Sequence, residues 1–158
     1  MRNELKEFER LLNQDWWMQE EGYQFKVTEE KVTGEECEDK FILFQIADEN
    51  GIIVNNYRTE KVFDTLEENI MSLIKDIYNS DINYRNKLIK NWKTFSARKV
   101  GSLSKALAKG NNKRIAEINA ELVKKLKLVE EYKKEVFYYK MFVSLLYRVK
   151  EQIAVKVA

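Results

Sequence analysis

Two hydrophobic periods divide the chain. Leu5, Phe8, Leu12 and Trp16 recur at spacings of three and four among Glu4, Glu7, Glu9 and Arg10, which predicts an amphipathic helix over residues 2–16. After Gly22 the period falls to two. Tyr23, Phe25 and Val27 alternate with polar neighbours, as on a half-buried strand. Residues 28–39 are polar, with a turn expected at Thr33-Gly34-Glu35-Glu36. The apolar run Phe41–Ala47 has the length of a central strand covered on both faces, and Asp48-Glu49-Asn50-Gly51 ends it with an Asn-Gly hairpin signal. Ile52–Tyr57 then returns as a third strand.

A helix is expected from Asp64 or Thr65, because Thr65 followed by Glu68 fits a capping box and Leu66, Ile70, Leu73, Ile74 and Ile77 form one stripe. Asn79-Ser80-Asp81 reads as a break. Beyond it, an unbroken helix from Ile82 to Leu107 places Leu88, Ile89, Trp92, Phe95, Val100, Leu103 and Leu107 in one broad arc. Gly110-Asn111-Asn112 reads as a bend between helices. A final helical period runs from Ile115 through Ile118, Leu122, Leu126 and Val129 to Ile153, and residues 136–147, apolar on nearly every face, are expected to be buried against the first half. Proline is absent, which favours long helices. The predicted class is α+β: helix, three-stranded antiparallel sheet and helix in an acidic domain at 1–80, then a basic helical hairpin at 81–158 packed on it.

Charge sharpens this division. Residues 1–80 hold nine Lys/Arg against nineteen Asp/Glu, and residues 81–158 hold nineteen against seven, although the whole chain is only +2. Such asymmetry points to charged partners or to halves that neutralise each other. The absence of histidine excludes imidazole-based triads and His-ligated zinc. A lone cysteine, Cys37, excludes an intrachain disulfide and a thiolate cluster and suggests a reducing, cytoplasmic compartment. No phosphate-cradling glycine motif occurs, and no stretch approaches the length of a membrane span. No cofactor, no metal and no catalytic residue is expected.

Three constellations carry chemistry. From Ile82 to Ala116 there are ten Lys/Arg and no acid, with Lys87, Lys90, Arg98, Lys105 and Lys109 in one arc opposite the apolar one; Lys113 and Arg114 follow at the bend. Such a stripe supplies the counterion-release contribution to nucleic-acid binding, or else serves as a solvated helix face. Trp92 and Phe95 lie within it, as candidates for base stacking or for core packing. The acidic counterpart comprises Glu29, Glu30, Glu35, Glu36, Glu38 and Asp39, a surface able to imitate a phosphate backbone before a basic groove, or an exposed polar loop. Glu29-Glu30-Lys31 has the E-x-K form of some metal-dependent nucleases, with no aspartate on a preceding strand to complete it.

The helix–strand–strand–strand–helix order of residues 2–79 resembles the double-stranded-RNA-binding domain. That family grips phosphate with lysines at the start of its second helix; the matching stretch here, Asp64-Thr65-Leu66-Glu67-Glu68-Asn69, has the opposite sign. In overall character, a short Lys-, Glu-, Asn- and Ile-rich chain with an acidic patch at Glu20–Asp39, the protein is similar to the Cas9-directed anti-CRISPR proteins of phages. That resemblance implies stoichiometric inhibition of a nuclease or its nucleoprotein complex in the host cytoplasm. The expected function is therefore non-enzymatic inhibition of a nucleic-acid-handling protein. Direct DNA or RNA binding by the 82–116 helix and charge-driven self-assembly are the alternatives.

Overall fold

The computed structural model describes residues 2–33, 38–59 and 62–157. The order is α1 (Arg2–Gln14), α2 (Trp16–Glu21), β1 (Gln24–Thr33), β2 (Glu38–Ala47), β3 (Ile53–Arg58), α3 (Leu66–Ile77), a π-helical turn (Tyr78–Ile82), α4 (Asn83–Ala108) and α5 (Asn112–Val157). The class is α+β, as expected. Two compact units emerge: Met1–Ile77 with Met141–Ala158, and Tyr78–Lys140. The first unit thus takes the end of α5, a segment the sequence reading assigned to the basic hairpin. Asn79–Asp81, read as a break, lie in the π-helical turn.

In the first unit the strands form one antiparallel sheet in the order β1-β2-β3. β1 and β2 extend further than their hydrophobic cores suggest. Their polar ends still pair, Lys31 with Lys40 and Thr33 with Glu38, because ladder hydrogen bonds carry the strands past the buried part. The expected turn at Thr33–Glu36 lies largely outside the described residues. At the second turn Asp48 Oδ1 accepts from the Asn50 and Ile52 N–H groups, and Gly51 takes φ +79°. An extra residue, Val54, is accommodated where Ile46 faces Asn55 and Ala47 faces Ile53, a bulge in the edge strand β3.

The core of this unit is built on aromatic rings. Phe8 of α1 meets Phe25 and Phe44 edge-on at 6.1 and 6.4 Å, and Phe142 of α5 lies 5.7 Å from Phe25 and stacks on Tyr57 at 6.5 Å. Of the apolar run 136–147, Phe142, Val143, Leu145 and Leu146 are buried in this unit as expected, but Phe137 is 67% and Tyr147 40% exposed. Leu5, Phe8 and Leu12 are buried as predicted, but Trp16 is 56% exposed. The helix stops at Asp15, whose extended backbone (ψ 140°) restarts it as α2 and rotates Trp17 and Met18 inward instead. α1 also occupies the free edge of β1. Asn13 accepts from the Phe25 N–H and donates to the Phe25 carbonyl, while Glu9 accepts from the Val27 N–H. Side chains thereby cover the edge at Phe25 and Val27.

α3 begins as its sequence predicts: Thr65 Oγ1 accepts from the Glu68 N–H and donates to the Glu68 carboxylate, and the whole apolar stripe is buried. Buried Asn69 bonds the Phe63 N–H and the carbonyls of Phe63 and Thr65, so its amide is satisfied. Among the described residues no buried side-chain polar atom lacks a partner.

The second unit is an antiparallel helical hairpin with a heptad-spaced seam. On α5 the inward positions are Ile115, Ile118, Leu122, Lys125, Val129, Tyr132, Val136 and Tyr139; facing them are Ile82, Arg85, Ile89, Trp92, Ser96, Lys99, Leu103 and Ala106. All are buried or half-buried, and all alternate spacings of three and four. That strict period explains two departures. Leu126, expected inside, is 42% exposed with Lys125 in its place; Val100 and Leu107, also expected inside, are 53% and 59% exposed. The bend is a Schellman turn: Gly110 at φ +65° allows the Asn111 N–H to reach Ala106 O and the Gly110 N–H to reach Leu107 O. Asn111 then accepts from the Arg114 N–H and starts α5.

Asp15 joins three parts of the first unit. It caps α2 by accepting from the Trp17 N–H, and it receives a two-pronged bond from Arg148 of α5 at 2.8 and 3.2 Å. Replacing it by alanine removes a cap and strands a guanidinium. Asp15→Ala is expected to destabilise the protein by about 2–3 kcal/mol in urea unfolding, and Asp15→Asn, which keeps the cap, by less.

Candidate nucleic-acid interface

Two classes of cation stand out on α4, with exposed Lys93 to one side of both, and the seam separates them. Arg85 and Lys99 occupy inward positions, where an unpaired charge would be costly. α4 carries no carboxylate, so its neighbours supply the counterions: Arg85 Nε donates to Glu135 of α5 at 2.5 Å and the same guanidinium pairs with Asp81 of the π-helical turn at 3.3 Å, while Lys99 pairs with Glu121 of α5. Each α4–α5 pair stands equidistant from Gly110, so the two pairs report one hairpin register. Arg85 also reaches the Asp81 carbonyl at 3.1 Å and lies over the Tyr139 ring. Burial works against its charge, but the Glu135 hydrogen bond and the neighbouring anionic groups raise its pKa. Burial pushes Tyr139 upward as well.

The second class faces away. Lys87, Lys90, Arg98, Lys105 and Lys109 are all exposed, and none of them forms an ion pair among the described residues. Lys87, Arg98, Lys105 and Lys109 are separated by eleven, seven and four residues. At about 100° per residue these spacings bring the four within about 40° of one another, with Lys90 about 60° to one side. The result is a row of positive charge nearly parallel to the helix axis. Lys113, at the start of α5, is exposed too, whereas Arg114 pairs with Glu117 at 3.3 Å.

The face holds more than the expected lysines. Asn91, Thr94 and Gly101 lie in the same row, exposed, and add hydrogen-bonding groups and a stretch of bare backbone. Their signal was the same eleven–seven–four spacing, which a search limited to charged residues passes over. Trp92 and Phe95 lie elsewhere. They pack on each other at 6.0 Å, half-buried, and the ammonium groups of Lys99 and Lys125 each lie 5.6 Å from the Phe95 ring. Tyr84 is the exposed aromatic at the N-terminal end of the basic row.

The acidic candidates are less gathered. Glu29 and Glu30 are consecutive on β1 and point to opposite sheet faces: Glu29 shares the core-facing side of Phe25 and Val27 and is half-buried, while Glu30 is exposed. Glu38 and Asp39 begin β2 opposite Thr33 and Val32. Glu35, Glu36 and Cys37 lie outside the described residues. Among the described residues no three acids or thiols gather as metal ligands, and no helix is long and apolar enough to cross a membrane. An open groove of about 670 Å³ on α5, lined by Ala120, Val123, Leu128, Lys124, Lys127 and their neighbours, holds one carboxylate, Glu131, and no acid–base pair.

Glu121 gives the hairpin a pH dependence. Its hydrogen bond from Lys99, and then the positive charges of Lys99 and Arg114, hold its carboxyl below the ordinary range. A lowered folded pKa means stability that is present above the unfolded carboxylate pKa and lost as pH falls through the folded one. Glu121→Gln is therefore expected to melt earlier than the parent at neutral pH. The two curves should converge in acid, as followed by circular dichroism.

Comparison with protein-family models, with curated proteins and with solved structures finds no match to this chain.

Proposed function

We propose that this protein is a non-enzymatic binding protein that docks on nucleic acid through the outward face of α4. One observation carries the reading: the cations of that face are exposed and without ion-pair partners among the described residues, while Lys99 on the same helix is neutralised from α5 and Arg85 from α5 and Asp81. A helix with spare cations and no acid of its own attracts a polyanion, because each phosphate it neutralises releases a condensed counterion. With a whole-chain charge of +2, that attraction is local to the face and does not come from the molecule's net charge.

A second reading is favoured by the first unit, which holds twenty Asp/Glu against twelve Lys/Arg. An acidic unit of this kind can occupy the basic groove of a nucleic-acid-handling protein, such as a Cas9-type nuclease or its nucleoprotein complex. The chain would then act as a stoichiometric inhibitor of the anti-CRISPR kind. Complementary potentials would set both its partner choice and its salt dependence.

A gel-shift assay with the protein alone separates the two. Direct binding is expected to be tight at 50 mM salt and weak at 200 mM, and to vanish in a variant with Lys87, Lys90, Arg98, Lys105 and Lys109 changed to glutamate. Reversing Glu29, Glu30, Glu35, Glu36, Glu38 and Asp39 is expected to leave it intact. No shift under any condition, together with one-to-one titration of a nuclease activity, would select the inhibitor reading instead.

A further inference from the structure

We propose that the outward face of α4 binds duplex DNA, gripping the phosphate backbone over one helical turn without reading the bases. This rests on the nucleic-acid reading above and adds the form of the ligand.

Length is the first argument. From Lys87 to Lys109 the helix rises about 33 Å, close to the 34–36 Å of one B-DNA turn. Cations at the two ends of the row can therefore meet the same strand one turn apart, with Arg98 and Lys105 between them. A flexible single strand imposes no such length.

The side-chain chemistry is the second. Single-strand binders present successive aromatic platforms. Here Trp92 and Phe95 are engaged with each other and with Lys99 and Lys125, which leaves Tyr84 at one end of the row. The positions between the cations are Asn91, Thr94 and Gly101, short groups that suit phosphate oxygens.

Gly101 is the third. It sits in the middle of α4, exposed, and a Cβ built there would meet nothing within 4 Å, so packing gives no reason for a glycine. Glycine weakens a helix interior, and one established reason to keep it is close approach of a ligand to the backbone. Between Arg98 and Lys105 it leaves room for a phosphate ridge to lie against the helix.

Fluorescence anisotropy with the full chain tests this, using duplex DNA of 6, 12 and 20 base pairs, single-stranded DNA of 20 nucleotides and duplex RNA of 20 base pairs. Affinity is expected to rise steeply from 6 to 12 base pairs and then level off, with the 20-base-pair duplex favoured about tenfold or more over the single strand. Five phosphate contacts give a slope of about −4.5 in log affinity against log salt, a fall of about 500-fold between 50 and 200 mM. Lys87→Ala should shallow that slope by about 0.9. Gly101→Leu should raise the melting temperature and weaken duplex binding, a combination that damage to the fold cannot produce. Single-stranded DNA bound as tightly as duplex, loss of binding in Tyr84→Ala, tighter binding to duplex RNA, or unchanged binding by Gly101→Leu would each overturn the assignment while leaving nucleic-acid binding in place. No binding to any of the probes at 50 mM salt would overturn the nucleic-acid reading itself.

Discussion

The hairpin depends on counterions brought to α4 from the elements beside it. α4 has ten basic residues in its neighbourhood and no acid within its length, yet its seam turns Arg85 and Lys99 inward. The register brings Glu135 to Arg85, which also pairs with Asp81, and Glu121 to Lys99. Register in a helix pair is often fixed by a buried polar contact at some expense in stability. Here two partly exposed ion pairs, far apart along the seam, agree on one alignment. The same alignment leaves the remaining cations of α4 with no anion to meet.

Separation of charge by unit follows from that arrangement. The hairpin unit keeps sixteen Lys/Arg against six Asp/Glu, and the sheet unit reverses the balance. Within each unit the internal pairs are local: Arg148 with Asp15 and Lys150 with Glu67 in one, Arg85 and Lys99 with α5 glutamates in the other. β1 is covered at Phe25 and Val27 by Asn13 and Glu9, and β3 is bent by the bulge at Val54.

Much of this was legible in the residues. The Thr65–Glu68 box, the Asn-Gly turn and the Gly110 bend each encode a local backbone geometry, and each forms where expected. The misplacements share a cause. Trp16, Val100, Leu107 and Leu126 are apolar and near a plausible stripe, but phase decides which positions turn inward. Asp15 resets the phase in one case, and a strict heptad selects Lys125 over Leu126 in the other. A hydrophobic tally rewards the leucine; the period rewards the lysine, whose stem packs while its charge lies near Phe95. The basic row was visible from charge alone. Its division into neutralised and spare cations was not, because that requires knowing which α5 glutamates lie opposite.

α5 runs through both units, and this has a consequence for biogenesis. Phe142 completes a ring cluster whose other members lie more than eighty positions earlier in the chain. A polypeptide emerging from the ribosome in order must expose that half-built cluster while the whole intervening hairpin is being made. Loop closure over such a distance is slow compared with the local pairing of α4 and α5. The hairpin is thus positioned to mature first, and the sheet unit waits, open to chaperones and proteases, for the last turns of helix to arrive.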